Sequence, residues 1–163
     1  MVDGMMIAID EALRAFEEDE VPVGACIIKG DQIIGVGHNR REQNQEVISH
    51  AEIEAIREAS CRLRSWRLDG CDLYVTLEPC LMCAGAIIQA RIQKVYYGAR
   101  DPKSGVAGSV LDLFHKKIFN HQVKIEGGIY EETCSQILRK YFKIKRESGE
   151  VAELAEGARL EIE

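Results

Sequence analysis

Four residues of this chain have side-chain types and a spacing that suit metal chemistry: His50, Glu52, Cys80 and Cys83. Cys80 and Cys83 are three positions apart, a spacing that places two side chains on one face at the start of a helix. Two sulfur ligands and one imidazole favour zinc among the common cytosolic metals. A structural zinc normally has four protein ligands, whereas three leave a position for water, which is the catalytic arrangement. The sequence therefore predicts a catalytic zinc site held by His50, Cys80 and Cys83.

Glu52 follows His50 by two positions, close enough to lie beside a metal-bound water without joining the ligand set. Zinc lowers the pKa of such a water to about 7. A nearby carboxylate can take the proton of the water and deliver it to a ring nitrogen and to leaving ammonia. We therefore predict that Glu52 is the catalytic proton shuttle in a reaction that replaces an exocyclic amine by oxygen.

The Cys-x-x-Cys motif has other interpretations, because structural zinc sites and redox pairs also contain it. A structural site would need a fourth ligand, from Cys26, Cys61, Cys71, Cys134, His38, His115 or His121. None of these lies in a second Cys-x-x-Cys or His-x-His pattern, and neither interpretation accounts for Glu52. We expect the four remaining cysteines to be small core residues. An inactive zinc module that binds RNA or a protein partner stays open, and a metal with four protein ligands would identify it.

The elements that must position these residues alternate between strands and helices, which predicts an α/β fold. A helix should end before Pro22, and a hairpin should join residues 23–29 to residues 32–38. Further strands are predicted at 71–77, 94–99 and 123–126, and further helices at 50–64, 81–90 and 130–146. Ser49 is a plausible N-cap for the helix at 50–64, and Pro79 suits the first turn of the helix at 81–90. We expect a mixed central sheet with helices on both faces.

The charge of the chain is unevenly distributed. The formal net charge is -6, which by itself argues against a general nucleic-acid binder. Residues 147–163 contain six Glu and one Arg, so residues 1–146 are nearly neutral. We predict one domain over residues 1–146 and an acidic, poorly ordered tail over residues 147–163. No apolar run is long enough to cross a membrane and no signal peptide is recognisable, so we expect a cytoplasmic protein with reduced thiols.

Several segments resemble the tRNA-specific adenosine deaminases of bacteria. They are Glu-Val-Pro-Val-Gly-Ala at 20–25, His-Ala-Glu at 50–52, Thr-Leu-Glu-Pro-Cys-Leu-Met-Cys-Ala-Gly-Ala at 76–86 and Gly-Ala-Arg-Asp-Pro-Lys-Ser-Gly at 98–105. His-x-Glu followed by Pro-Cys-x-x-Cys is the signature of zinc nucleobase deaminases. The resemblance covers roughly residues 4–146. It implies a zinc-dependent deaminase domain with the three-layer α/β/α cytidine-deaminase-like fold and one zinc per subunit.

The same resemblance implies a reaction, a partner and an assembly state. Members of this family convert the wobble adenosine of a tRNA anticodon to inosine by hydrolysis, and they are homodimers. The apolar helix predicted at 81–90 is consistent with burial on more than one side. The implied partner is a tRNA anticodon stem-loop. Guanine deaminases have a similar Glu-Pro-Cys-x-Met-Cys, so a free nucleobase deaminase such as a guanine or cytosine deaminase is the alternative. The segments at 20–25 and 98–105 favour the tRNA enzyme.

Four further residues are carried over from the family as substrate-binding residues. Asn39 matches the residue that hydrogen-bonds the flipped base, and Asp101 matches a residue that contacts the ribose and backbone. Val23 and Leu77 match apolar walls of the pocket. Each has a simpler interpretation: Asn39 could form an Asx-turn, Asp101 could cap its own loop, and the two apolar residues could pack in the core.

The predicted last helix combines cations with aromatic side chains. Its cations are Arg139, Lys140, Lys143, Lys145 and Arg146, and Tyr141 and Phe142 lie between them. Such a pattern suits a single-stranded loop, where cations meet phosphates and rings stack on bases. We predict that Lys143 and Arg146 contact RNA, and the alternative is a solvated helix face with Phe142, or else Tyr141, in the core. Many family members continue with basic residues after this helix, whereas this chain becomes acidic.

Overall fold

The computed structural model of the protein describes residues 1–147. The elements are α1 (Gly4–Glu17), β1 (Gly24–Lys29), β2 (Gln32–His38), α2 (Arg41–Asn44), α3 (Ala51–Leu63), β3 (Cys71–Leu77), α4 (Leu81–Gln89), β4 (Lys94–Ala99), β5 (Lys124–Glu126) and α5 (Glu131–Glu147). The predicted acidic tail lies outside the described residues except for Glu147, which ends α5. Within residues 1–147, no helix combines the length and apolar character that a membrane span requires.

The sheet has five strands in the order β2-β1-β3-β4-β5. β1 runs antiparallel to both β2 and β3, whereas β3, β4 and β5 are parallel. The predicted mixed sheet is therefore confirmed. Because β3 and β4 are parallel, with Leu77 opposite Ala99, the loops that follow these two strands leave the sheet at the same edge.

Helices cover both faces of the sheet, so the predicted three-layer α/β/α architecture is confirmed. On β1, Ala25 and Ile27 face the core beneath α3 and α4, and Cys26 and Ile28 face the core beneath α1 and α5. This alternation follows from the two-residue repeat of a strand that is buried on both sides.

Two glycines of β2 allow α3 to lie directly on the sheet. A Cβ on Gly35 would lie 2.4 Å from the carbonyl oxygen of Ala55, and a Cβ on Gly37 would lie 2.6 Å from that of Ala51. Any side chain at either position would displace the helix. The contact therefore fixes the N-terminal turn of α3, which carries His50 and Glu52, relative to the sheet.

The structure corrects the predicted start of α3 and the loop before it. The N-cap of α3 is His50, not Ser49, because the Ser49 hydroxyl is bonded to Glu46 and Asn44 instead. The predicted polar loop contains the short helix α2, which sequence periodicity over four residues could not indicate. Pro79 precedes the N-cap of α4, which is Cys80, and so it lies outside the first helical turn.

Candidate active site

Three metal-ligand side chains converge where α3 and α4 begin. The Nδ1 atom of His50 lies 3.7 Å from the Cys80 sulfur and 3.6 Å from the Cys83 sulfur. The three ligand atoms lie within 4.8 Å of one another, so one ion could contact all of them. Among residues 1–147, no other histidine, cysteine or carboxylate joins this group. The structure thus brings together the three residues predicted as zinc ligands.

The start of each helix explains why these residues meet. His50 is the N-cap of α3 and Cys80 is the N-cap of α4, and Cys83 lies one turn into α4. Neither cap residue satisfies the free backbone N–H groups of its helix with its side chain. The partial positive charge at the N-terminus of α4 favours a thiolate over a thiol at its cap residue, Cys80.

The pKa values of the two cysteines are shifted in opposite directions. A hydrogen bond from the Cys83 thiol, together with one to His50, lowers the pKa of Cys80 to about 4. The same bond to Cys80, followed by burial, raises the pKa of Cys83. The hydrogen bond with Cys80 also raises the pKa of His50. The Cys80 thiolate thus accepts hydrogen bonds from the Cys83 thiol and from His50. A divalent cation bound by the three residues would replace these protons.

Glu52 lies beside the ligand cluster and is only 4 % exposed. Burial is the main cause that raises the pKa of its carboxyl, and a hydrogen bond with Cys83 partly offsets this effect. A raised pKa makes a carboxylate a better proton acceptor, and a general acid–base catalyst must accept a proton before it donates one. The predicted proton shuttle thus lies next to the ligands in an environment that suits this role.

A cavity of about 220 Å³ opens over this cluster. His50, Glu52 and Cys80 are among the residues that line it. Val23 and Leu77 also line it, which is where an apolar wall was predicted. Both residues pack against the core clusters as well, so lining the cavity and filling the core are compatible roles.

Asn39 lines the same cavity and is 8 % exposed. Its Nδ2 donates to the carbonyl oxygen of Val21 at 3.2 Å, and its Oδ1 accepts from the Arg41 N–H at 3.2 Å. The bond to the residue two positions ahead is that of an Asx-turn. The simpler interpretation of Asn39 is therefore realised, and a hydrogen bond from Asn39 to a base stays a prediction.

Asp101 also combines a local role with a place at the cavity. Its Oδ1 accepts from the N–H groups of Lys103 at 3.1 Å and Ser104 at 3.2 Å, so the carboxylate caps its own loop. Within the part of the chain that the structure describes, its Oδ2 has no hydrogen-bond partner. A contact between this second oxygen and a ribose stays a prediction.

The cations of α5 differ in how much of their charge is available. Lys143 and Arg146 border a cleft of about 560 Å³ together with Lys103, Arg139 and Phe142. Arg139 is paired with Glu132 at 2.7 Å, and Lys145 is paired with Asp19 at 2.9 Å. Lys103, Lys143 and Arg146 have no ion pair within residues 1–147, so they are the cations best able to meet phosphates.

The two aromatic residues of α5 have different environments. Tyr141 is 4 % exposed, its ring packs edge-on against Phe16, and its hydroxyl donates to Asp19. The alternative interpretation therefore holds for Tyr141, whose ring belongs to the core and is not available to a base. Phe142 is 44 % exposed and lines the cleft, so it could still stack.

The other candidate ligands are engaged elsewhere. His38 lies between Glu11 and Glu18, His115 pairs with Asp112, and His121 donates to the carbonyl of Ile92. Three of the remaining cysteines are buried as expected: Cys26, Cys71 and Cys134. The expectation is wrong for Cys61, which is exposed on α3. These placements leave no fourth ligand for a structural zinc among the described residues.

Sequence reasoning missed four residues that build the site. Arg41 and Ser104 line the cavity, and the carboxylates of Glu20 and Glu78 are buried at 1 % and 2 % exposure. Glu20 accepts from the N–H of Glu42 at 2.9 Å and from that of Gln43 at 3.3 Å, and so it holds α2 beside the cavity. Both glutamates lie in segments that carry the family resemblance. An acidic residue among apolar neighbours was the available signal for Glu78, whereas Glu20 ends an acidic run and gave no such signal.

Comparison with known proteins agrees with this geometry. The family described as MafB19-like deaminase matches residues 2–146. A tRNA-specific adenosine deaminase of Bacillus subtilis is 45 % identical over 148 residues, which is 91 % of this chain and 92 % of the relative. The chain belongs to the family of tRNA-specific adenosine deaminases. The chain carries His-x-Glu at 50–52 and Pro-Cys-x-x-Cys at 79–83, which is the signature of zinc nucleobase deaminases.

Solved structures place the chain within the same family. A structure from studies of A-to-I editing by tRNA:A34 deaminases at the wobble position of transfer RNA is 44 % identical and has a TM-score of 0.79. It matches 82 % of this chain and 97 % of its own. A guanine deaminase from Bacillus subtilis is more distant, with 38 % identity, a TM-score of 0.56, and coverage of 59 % of this chain and 62 % of its own.

Proposed function

We propose that the protein is a zinc-dependent hydrolytic deaminase that converts the wobble adenosine of a tRNA anticodon to inosine. The observation that carries this proposal is the cluster of His50, Cys80 and Cys83, which opens through His50 and Cys80 onto a cavity that Glu52 also lines. Membership of the tRNA-specific adenosine deaminase family supports the choice of substrate.

The donor set of the cluster fits zinc. Two thiols and one imidazole are the ligands that zinc prefers, and three protein ligands are the number found in catalytic sites. The lowered pKa of Cys80 means that one ligand is already a thiolate at neutral pH. When bound, zinc would act as a Lewis acid that activates water for attack on the ring carbon bearing the amine.

Glu52 moves the protons of this reaction. Its carboxylate takes a proton from the attacking water and gives it to the ring nitrogen next to the reacting carbon. It then transfers the second proton of the water to the exocyclic amine, which leaves as ammonia. The reaction consumes one water and exchanges a C–N bond for a C–O bond, so Glu52 ends in its original ionisation state.

Asn39 and Asp101 hold the target nucleotide while this happens. A side-chain amide can donate to and accept from a purine edge, and the free Oδ2 of Asp101 can accept from a ribose hydroxyl. Val23 and Leu77 exclude bulk water from the base. An unpaired adenosine in an anticodon loop can reach the cavity because unstacking it costs little.

The core experiment incubates the protein with zinc and an anticodon stem-loop that carries adenosine at the wobble position, and measures inosine by mass analysis. Glu52→Ala should keep zinc and RNA affinity but lose conversion by at least about a hundredfold, because only the proton transfer is removed. Glu54→Ala is the matched control on the same helix, since the partly buried Glu54 side chain pairs with Arg57 and does not line the cavity. Appreciable turnover by Glu52→Ala would rule out its role as the shuttle.

The same assay tests the alternative substrate class. The partial likeness to a guanine deaminase favours a free nucleobase as the second candidate. Deamination of free guanine together with no action on the stem-loop would establish that alternative. Inosine formation in the stem-loop would establish the tRNA substrate.

We further propose a cytoplasmic homodimer. The cytoplasmic location rests on the free cysteines and on the tRNA substrate. The dimer rests on the family and on α4, where Leu81 is 64 % exposed and a Cβ on Gly85 would meet open space. Sedimentation equilibrium at micromolar protein should give twice the chain mass, and a monomer would defeat this proposal.

A further inference from the structure

A buried carboxylate that the proposed reaction does not use lies between β3 and the metal-ligand helix. Glu78 follows the last residue of β3 and is 2 % exposed. It has no ion pair with a cation among residues 1–147. Burying an uncompensated carboxylate is costly unless hydrogen bonds replace its water. The partners that replace this water should therefore reveal what Glu78 does.

Those partners all come from one segment, residues 101–109, which we call the rim loop. Oε1 accepts from the N–H of Asp101 at 3.2 Å and from the hydroxyl of Ser109. Oε2 accepts from the N–H of Ala107 at 2.9 Å and from that of Ser109 at 3.2 Å. Both oxygens are thus saturated by donors from the rim loop.

The rim loop has also adapted its shape to this carboxylate. A Cβ on Gly105 would lie 2.3 Å from Cδ of Glu78, so only glycine allows the loop backbone to approach so closely. The loop has little regular structure of its own, and its sheet pairing is limited to the isolated bridge between Ala107 and Asp112. Glu78 is therefore a principal anchor of the loop, supported by the bond from the Val106 N–H to the Pro79 carbonyl.

The rim loop that Glu78 anchors borders both the cavity and the cleft along α5. Asp101 and Ser104 line the cavity above the metal ligands, and Lys103 borders the cleft along α5. The segment that holds Glu78 also leads directly into Cys80. One carboxylate thus fixes the rim loop to the element that carries two of the metal ligands.

We infer that Glu78 is a positioning residue that holds the rim loop, and with it Asp101, in the place that binds the target nucleotide. This inference rests on the proposed deaminase function. Glu78 also borders the cavity, but both of its carboxylate oxygens are bonded to the rim loop, so we expect it to act through that loop and not on the substrate directly. Its loss should therefore raise KM much more than it lowers kcat, and it should leave zinc content unchanged.

The direct test is Glu78→Gln, which keeps the size of the side chain but replaces one acceptor oxygen by an NH₂ group. The NH₂ group would face N–H donors, so the hydrogen bonds that one carboxylate oxygen now accepts from backbone N–H groups would be lost. We expect faster amide hydrogen exchange in peptides covering residues 101–109 and at least a tenfold rise in KM for the stem-loop. Glu11→Gln is the matched control, because Glu11 is also buried but bonds to His38 and Arg14 on the other side of the sheet.

A second variant covers the case in which Glu78→Gln does not fold. Ser109→Ala removes a single donor to the carboxylate and leaves the rest of the anchor. It should produce a smaller change of the same kind, with faster exchange in the rim loop and a threefold rise in KM.

A double-mutant cycle with Asp101→Ala separates positioning from a general loss of stability. If Glu78 acts through Asp101, adding Asp101→Ala to Glu78→Gln should lower kcat/KM far less than the same substitution does in the wild type. Additive losses in kcat/KM, or exchange in the rim loop equal to that of Glu11→Gln, would overturn the inference. A wild-type protein that makes no inosine would instead contradict the proposed function, and the exchange measurement would still report on the anchor.

Discussion

The cations along the cleft beside α5 allow the salt dependence of RNA binding to be calculated before it is measured. Lys103, Lys143 and Arg146 border this cleft and have no ion pair among residues 1–147, whereas Arg139 is already paired with Glu132. Each phosphate contact with single-stranded RNA contributes about -0.7 to the slope of log K against log salt concentration. Three contacts predict a slope of about -2.1, and the double variant Lys143→Ala/Arg146→Ala should have a slope of about -0.7.

This difference is large enough to measure by filter binding or fluorescence anisotropy. Between about 50 mM and about 200 mM salt, the affinity of the wild type should fall roughly 18-fold, and that of the double variant roughly 2.6-fold. Zinc content and single-turnover conversion at saturating RNA should be nearly unchanged, because neither residue lies in the cavity over the metal ligands.

The matched control removes two positive charges from the opposite end of the sheet. Lys29 ends β1 opposite Cys71, at the start of β3, and Arg67 lies in the turn before that strand. Lys29→Ala/Arg67→Ala has the same net charge as the cleft variant but should keep the wild-type slope. Equal slopes for the wild type and the cleft variant, or an equal change in the control, would refute a specific RNA role for α5.

Two further predictions concern the metal and the pH dependence of stability. Cys80→Ala should lose zinc and activity together, because one ligand of three is removed, and full zinc occupancy measured by elemental analysis would contradict the ligand assignment. For His38, burial lowers the pKa, but the hydrogen bonds with Glu11 and Glu18 outweigh burial, so that the net pKa lies above 6.5. Its stabilising effect is therefore complete below about pH 6.5 and is lost as the pH rises through the raised pKa. Denaturant unfolding should show that the stability advantage of the wild type over His38→Gln shrinks between about pH 6 and pH 9, and an advantage that grows over this range would contradict the assignment.

The sequence was sufficient for the elements whose residues repeat regularly. The strands β1 to β4 and the helices α3 and α4 were predicted within one or two residues, because apolar side chains recur along each of them. The ligand set could also be proposed, since a thiol pair at helical spacing and a His-x-Glu segment have few other uses in combination. Their convergence, however, depends on β1 lying between β2 and β3, the strands that precede α3 and α4, and spacing alone does not establish that order.

What could not be predicted depends on contacts between residues far apart in the chain. Tyr141 belongs to the core because its ring packs against Phe16 and its hydroxyl bonds to Asp19, both of which lie far away in the chain. The sequence of the basic helix itself does not indicate these contacts. Ser49 has the right residue type for an N-cap, but Asn44 and Glu46 compete for its hydroxyl. Glu20 looks like a surface residue until α2 folds over it and supplies two backbone donors.

Choice of substrate must therefore be decided at the edge of the cavity and not at its base. The cluster of metal ligands with Glu52 would serve any ring that carries an exocyclic amine, since the chemistry of amine replacement is the same for a free base and for a nucleotide. A free base has no phosphate and no ribose, so Asp101 and the cleft cations would contribute nothing to its binding. Asp101→Ala should consequently weaken action on the stem-loop while leaving any action on a free base unchanged. An equal loss for both substrates would show that Asp101 shapes the cavity itself and does not read the ribose.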